Sequence, residues 1–174
     1  MWSGGVTEPT AARVLEALAR RGESLATAES LTGGLLAARL TDVPGASRSF
    51  VGGVVSYATR IKVALLDVPE AVVERHGVVS PECAIAMAQG VRTRLDTTWG
   101  LATTGVAGPD EQDGHPVGTV WVAVAGPSGA AARLLTLSGD RLAIRQATCD
   151  AVLSDLAARL GDVEVFLREE GALG

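Results

Sequence analysis

The sequence contains no asparagine, one lysine (Lys62) and one tyrosine (Tyr57) among its 174 residues. Other scarcities bound what the chain can be. A net charge of −5 leaves no basic excess to neutralise a phosphate backbone, which argues against a general nucleic-acid binder. No apolar run approaches the roughly 18 residues of a membrane span. The opening MWSGGVTEPT lacks the basic start and apolar stretch of a signal peptide, so a cytoplasmic location is expected. His76 and His115 are the only histidines and offer no metal-ligand spacing; neither a metal nor another cofactor is expected. Cys83 and Cys149 lie far apart in helix-like segments. They read as small buried apolar residues rather than as a disulfide or a reactive thiol.

One scarcity is itself a signal. Of the 15 basic residues, 14 are arginine, in keeping with a coding bias toward Ala, Gly and Arg. Arginine does not lose its proton in a protein. A role that needs a neutral amine would explain why position 62 departs from the rule, whereas a solvent-facing lysine on a short helix would not require it.

What is present is ordinary for a globular domain: 47% apolar and 20% charged residues, and enough length for one core. No repeat, linker or low-complexity tract interrupts it, so residues 1–174 are expected to form one domain. Ala11, Val14, Leu15 and Leu18 have the spacing of an amphipathic helix over residues 10–21, with Pro9 fitting its first turn and Gly22 stopping it. Residues 24–29 predict a short strand, and 31–40 a helix. TDVPGAS is a loop, and FVGGVVSY (50–57) is a strand whose two glycines suggest a bulge or a close backbone approach. A helix over 58–66 carries Lys62, and a short helix follows Pro69 as far as His76 and Gly77. Ser80-Pro81 reads as an N-cap and first turn, opening a helix to about Leu95. Residues 99–104, 117–126 and 131–138 predict strands, the last two as a hairpin across PSG. Asp140 caps a final helix over about 141–160, and the tail from Gly161 reads as a further short helix or a frayed end. This order implies a three-layer α/β/α sandwich around a mixed sheet.

Chemistry concentrates where strands should end, and in open α/β sheets ligands sit outside those carboxyl ends. The first such segment is TAESLTGG (27–34). Ser30 is not in a G-x-S-x-G elbow and reads either as a helix cap, shared with Thr32, or as a nucleophile. Gly33 and Gly34 would let a substrate approach the N–H groups at the helix start, which suit a phosphate or an oxyanion. A buried Lys62 with a lowered pKa is a plausible general base toward serine. Tyr57, at a strand end, is a core or interface residue or a proton relay. Thr104 either satisfies a turn or faces a ligand, and Gly105 and Gly108 leave room for one. Arg141 and Arg145, four apart on the last helix, share a face, as a solvated pair or as a phosphate clamp. Asp140 reads as a cap and His115 as loop.

TAESLTGG, GASRSFVGGVVSYATRIK, GVVSPECAIAMAQGV, TTGVAGP, PVGTVWVA and SGDRLAIR, in this order, closely resemble the C-terminal domain of the competence/damage-inducible CinA family. The match covers about residues 10–160. The resemblance implies a three-layer α/β/α fold of the anticodon-binding-domain-like kind. It also implies the activity of the standalone members, nicotinamide mononucleotide (NMN) amidohydrolases. These hydrolyse the carboxamide of NMN to nicotinic acid mononucleotide and ammonia in pyridine nucleotide recycling. It implies a serine–lysine mechanism without metal, and commonly a homodimer or a higher homo-oligomer. By motif, the serine is Ser30 and the lysine Lys62, with Tyr57, Thr104, Arg141 and Arg145 at further site positions. Two features depart from the pattern. The stretch DEQDGHPVG replaces a glycine-rich loop and a lysine before PVG, which bears on ribose or phosphate contacts there. The N-terminal molybdopterin-binding-like domain of larger members is missing, so its pyrophosphatase activity is not expected. Two other functions stay open: a non-catalytic nucleotide-binding regulatory module, which would not need a neutral lysine, and an amidohydrolase of another small amide.

Overall fold

The structure, a computed structural model, describes residues 10–171, with side chains as far as residue 161. The first helix, α1 (Thr10–Arg21), buries Ala11, Val14, Leu15 and Leu18, the stripe its spacing dictates. Strand β1 (Leu25–Glu29) is buried throughout and lies inside the sheet. After it come α2 (Leu35–Thr41), a 3-10 turn at Ala46–Arg48, β2 (Phe50–Val55), α3 (Thr59–Leu66), α4 (Glu70–His76) and α5 (Pro81–Arg94). Strands β3 (Trp99–Gly105), β4 (Thr119–Gly126) and β5 (Gly129–Thr136) precede α6 (Arg141–Gly171).

The five strands run in the order β2-β1-β3-β4-β5. β1 is parallel to both β2 and β3, while β4 and β5 are antiparallel, giving the expected mixed sheet. Each face has its own apolar core. Helices α1, α2 and α6 pack Leu15, Leu18, Leu36, Leu40, Val152 and Leu156 against one side. On the other, α5 lays Cys83, Ala84, Met87, Ala88 and Val91 on alanine-rich strands, with Leu66 of α3 beside it. Small residues on the strands let α5 approach closely. Among the described residues no helix is long and apolar enough to cross a membrane.

Several boundaries differ from the sequence reading. The helix expected from Leu31 begins only at Leu35, because Ser30–Gly34 form a turn closed by Gly33 N–H to Ser30 O (3.1 Å), with φ 55° at Gly33 and 99° at Gly34. The hairpin strands sit about two residues off: β4 starts after a turn closed by Thr119 N–H to Pro116 O, and β5 begins at Gly129. Helix α6 does not end near 160 but continues through Gly161 to Gly171. Both readings of the β2 glycines hold. The β1–β2 register shifts between Leu25 and Ala26, and a Cβ on Gly53 would lie 2.3 Å from Thr27 Oγ1. Only glycine permits that strand contact.

Candidate active site

Three parallel strands direct their carboxyl ends to one edge, and each delivers one segment there. β1 ends in Glu29-Ser30, β2 runs into Ser56-Tyr57, and β3 into Thr104-Gly105 and the loop to Pro109. Ser30 N–H is tied to Thr103 O (3.0 Å) and Ser56 N–H to Glu29 O (2.8 Å), so the ladder continues past the last residues of β1 and β2.

At their junction Lys62 Nζ lies 2.9 Å from Ser30 Oγ. The same nitrogen reaches Ser56 O at 2.7 Å and Tyr57 O at 3.2 Å. Lys62 comes from the first turns of α3 and is 1% exposed, an amine buried beside its serine. Burial pushes its pKa below the ordinary lysine value, and the Cys83 thiol acts in the opposite direction as the smaller influence. The thiol cannot act as a counter-ion near neutrality, because its own burial pushes it up to about 11. Among the described residues no carboxylate forms an ion pair with Lys62. The nitrogen donates to the Ser56 and Tyr57 carbonyls and lies within hydrogen-bond reach of the Ser30 hydroxyl; in the neutral amine, with two N–H groups on the carbonyls, the remaining lone pair would accept from that hydroxyl.

Ser30 does not cap α2. Glu29, 1% exposed, does so from the preceding residue. Its carboxylate accepts from the N–H groups of Gly34 (3.2 Å), Leu36 (2.8 Å) and Ala37 (3.1 Å). A carboxylate satisfies the orphan donors of a first turn and suits the positive end of the helix dipole. Glu29 went unnoticed in the sequence because it stands five residues ahead of Gly34; the signal was an acidic residue shortly before a helix.

This arrangement corrects the roles expected for the helix start. Gly33 N–H is engaged by Ser30 O and Gly34 N–H by Glu29, so neither is free for a ligand. Thr32 is fully buried, its hydroxyl 2.8 Å from Thr103 Oγ1. None of Thr32, Gly33 and Gly34 borders the cleft above Ser30 and Lys62. Arg145 is also turned away: it donates to Leu31 O (3.0 Å) and Thr32 O (2.8 Å), gripping the turn that follows the serine.

The cleft brings together Ser30, Lys62, Tyr57, Thr104, Gly105 and Arg141. Arg141 donates to Gly108 O (2.6 Å) and to the Tyr57 phenol oxygen (3.0 Å). The phenol therefore faces Arg141, not Ser30 or Lys62, which corrects its expected place as a relay between them; Tyr57 as a whole is 60% exposed. Thr104 turns its hydroxyl to Val78 O (2.7 Å). Asp140 caps α6 through Ala143 N–H (2.8 Å). The divergent loop also reaches the cleft, through Asp110 and Gln112. It is a tight hairpin, Gln112 paired with His115 across Asp113-Gly114, whose φ of 51° and 77° match a type I′ turn.

Fold and site define a three-layer α/β/α domain with a buried serine–lysine pair at the carboxyl ends of parallel strands. The chain belongs to the CinA family: the CinA C-terminal domain model matches residues 7–160. A CinA-like protein of Frankia casuarinae is 52% identical over 157 residues, covering 90% of this chain and 36% of that protein. One from Parasynechococcus marenigrum is 47% identical, covering 90% of this chain and 38% of that one. The chain thus spans a little over a third of the length of these relatives. Among solved structures, a CinA superfamily protein from Klebsiella pneumoniae superposes with a TM-score of 0.85 at 32% identity, over 88% of this chain and 96% of that one. The competence/damage inducible protein CihA from Agrobacterium tumefaciens gives 0.83 at 33% identity, over 87% and 93%.

Proposed function

We propose that this domain is an amidohydrolase that releases ammonia from the carboxamide of NMN, with Ser30 as nucleophile and Lys62 as general base. The supporting observation is the 2.9 Å contact between Ser30 Oγ and the nitrogen of a buried lysine that has no carboxylate partner among the described residues. A lysine kept for its charge would not need to be desolvated there; a lysine kept as a base would.

In this mechanism neutral Lys62 takes the Ser30 proton as Oγ bonds to the carboxamide carbon. The carbonyl oxygen becomes an oxyanion. Main-chain N–H groups at the cleft wall are available to receive it; those of Leu31, Ala107 and Gly108 are among the ones with no partner among the described residues. One such donor is worth about 3 kcal/mol of transition-state stabilisation. The C–N bond then breaks, and protonated Lys62 returns its proton to the leaving nitrogen, which departs as ammonia. Water, deprotonated by the same lysine, attacks the Ser30 ester; the C–O bond to Ser30 breaks, Lys62 gives that proton to the leaving Ser30 oxygen, and nicotinic acid mononucleotide is freed. Arg141, with N–H donors beyond the two it uses, stands at the cleft to meet the 5′-phosphate.

The test is ammonia release from NMN by the purified chain and by its Ser30→Ala variant. Turnover that disappears in the variant supports the reading. Near-normal turnover without the hydroxyl overturns the nucleophile. Activity on another small amide with none on NMN would keep the chemistry and replace the substrate.

A further inference from the structure

The cleft carries two charged side chains that do not neutralise each other. Arg141 is held by Gly108 O and the Tyr57 phenol and forms no ion pair among the described residues. Asp110, from the divergent hairpin loop, borders the same cleft and has no hydrogen bond or ion pair with any described residue. Opposite charges sharing one small cleft would ordinarily close on each other. Here the main chain and the phenol hold the guanidinium, and the hairpin carries the carboxylate separately. The third ionisable group, Lys62, is biased toward neutrality by burial. The cleft therefore presents one cationic and one anionic contact alongside the buried Ser30–Lys62 pair.

We propose that Asp110 is a specificity-determining residue that selects ligands with a positively charged ring, so that Asp110 and Arg141 together recognise a zwitterion: an N-substituted pyridinium bearing a phosphate. The inference rests on the NMN reading and sharpens it, because the pyridinium ring of that nucleotide is cationic while its phosphate is anionic. Opposite charges placed at the two ends of a ligand set orientation and selectivity more than raw affinity. Asp110 is exposed, so its effect is a modest, salt-sensitive one.

Calorimetric titration of the Ser30→Ala protein tests this with chemistry silenced. The probes are NMN and its reduced dihydropyridine form, which keeps carboxamide and phosphate but has an uncharged ring. The expected result is tighter binding of the charged form, with the preference reduced about two- to fivefold by Asp110→Asn and by added salt. Equal binding of both forms, an unchanged preference in Asp110→Asn, or no binding of NMN would overturn the proposal. Ammonia release by the unaltered chain is read separately. An Asp110-dependent preference without any ammonia release would sustain this inference while removing the amidase.

Discussion

Two serines stand at helix starts in this chain, and they are used in opposite ways. Ser80 is a working cap: its oxygen accepts from Cys83 N–H at 3.1 Å, its hydroxyl donates to Gly77 O at 2.9 Å, and Pro81 follows in the first turn. Ser30 precedes α2 and caps nothing, because the neighbouring carboxylate of Glu29 holds three of the helix N–H groups. The local sequences differ little in cap propensity, since serine suits both places. The difference arises from what lies across the chain. Ser80 faces its own helix, whereas Ser30 faces Lys62, 32 residues later, at 2.9 Å. A hydroxyl is free for chemistry when something else does its structural work, and here that is Glu29.

The largest contrast should come from removing each hydroxyl. Ser30→Ala is expected to lower ammonia release from NMN by at least about a thousandfold, with little change in the urea midpoint, because no helix N–H depends on it. Steady-state kinetics beside a denaturation curve reads both. A variant that lost stability but kept its turnover would make Ser30 the cap after all.

Lys62→Arg comes next, with a loss of about a hundredfold or more, as for a general base. It keeps a cation but removes a nitrogen able to take a proton. The pH profile sharpens the point. Activity requires the unprotonated amine, so kcat/KM should rise with pH through the Lys62 pKa and then level, with that limb below the ordinary value of 10.5. Stability should follow the same sign. Between the lowered folded-state pKa and 10.5 the unfolded chain binds the proton and the folded chain does not, so stability rises with pH across that window. Urea melts of Lys62→Met should show a shallower rise. An acid limb at the ordinary lysine value would show that burial does not tune this amine.

Glu29→Ala joins the two regions, and its expected effect is smaller on both axes. It should cost about 1–3 kcal/mol by leaving first-turn N–H groups without an acceptor. It should also slow ammonia release about tenfold, since the Ser30 hydroxyl becomes the nearest replacement cap and turns from Lys62. Glu29→Gln, which keeps one acceptor oxygen, should fall between. Full activity in Glu29→Ala would mean that the ladder bonds to Thr103 and from Ser56 position Ser30 without the carboxylate.

The layers and the sheet were legible because each rests on a local pattern: the apolar stripe of α1, the Ser80-Pro81 start of α5, the β4–β5 hairpin. Lys62 was legible for a compositional reason, as the one lysine among arginines. What was not legible depends on partners distant in sequence. Arg141 and Arg145 share a helix face, yet one meets the Tyr57 phenol and the other the Leu31 and Thr32 carbonyls, contacts 84, 114 and 113 residues apart. Spacing on one helix fixes the face and leaves the recipient open. Gly33 and Gly34 read as an open helix mouth because glycine signals room; the turn instead needs them for their positive φ.

The smallest expected effect completes the comparison. Ser80→Ala should lower stability by about 1 kcal/mol, the usual cost of deleting a serine cap, and leave ammonia release nearly unchanged. Its hydroxyl holds the start of α5, and α5 carries Cys83, whose thiol opposes the lowering of the Lys62 pKa. If loosening that first turn moved Cys83, the acid limb of the pH profile would shift while the maximal rate stayed constant. A shift would make α5 part of what tunes the base. A constant limb would confine the tuning to burial by the strand ends, with α5 serving only as the wall behind them.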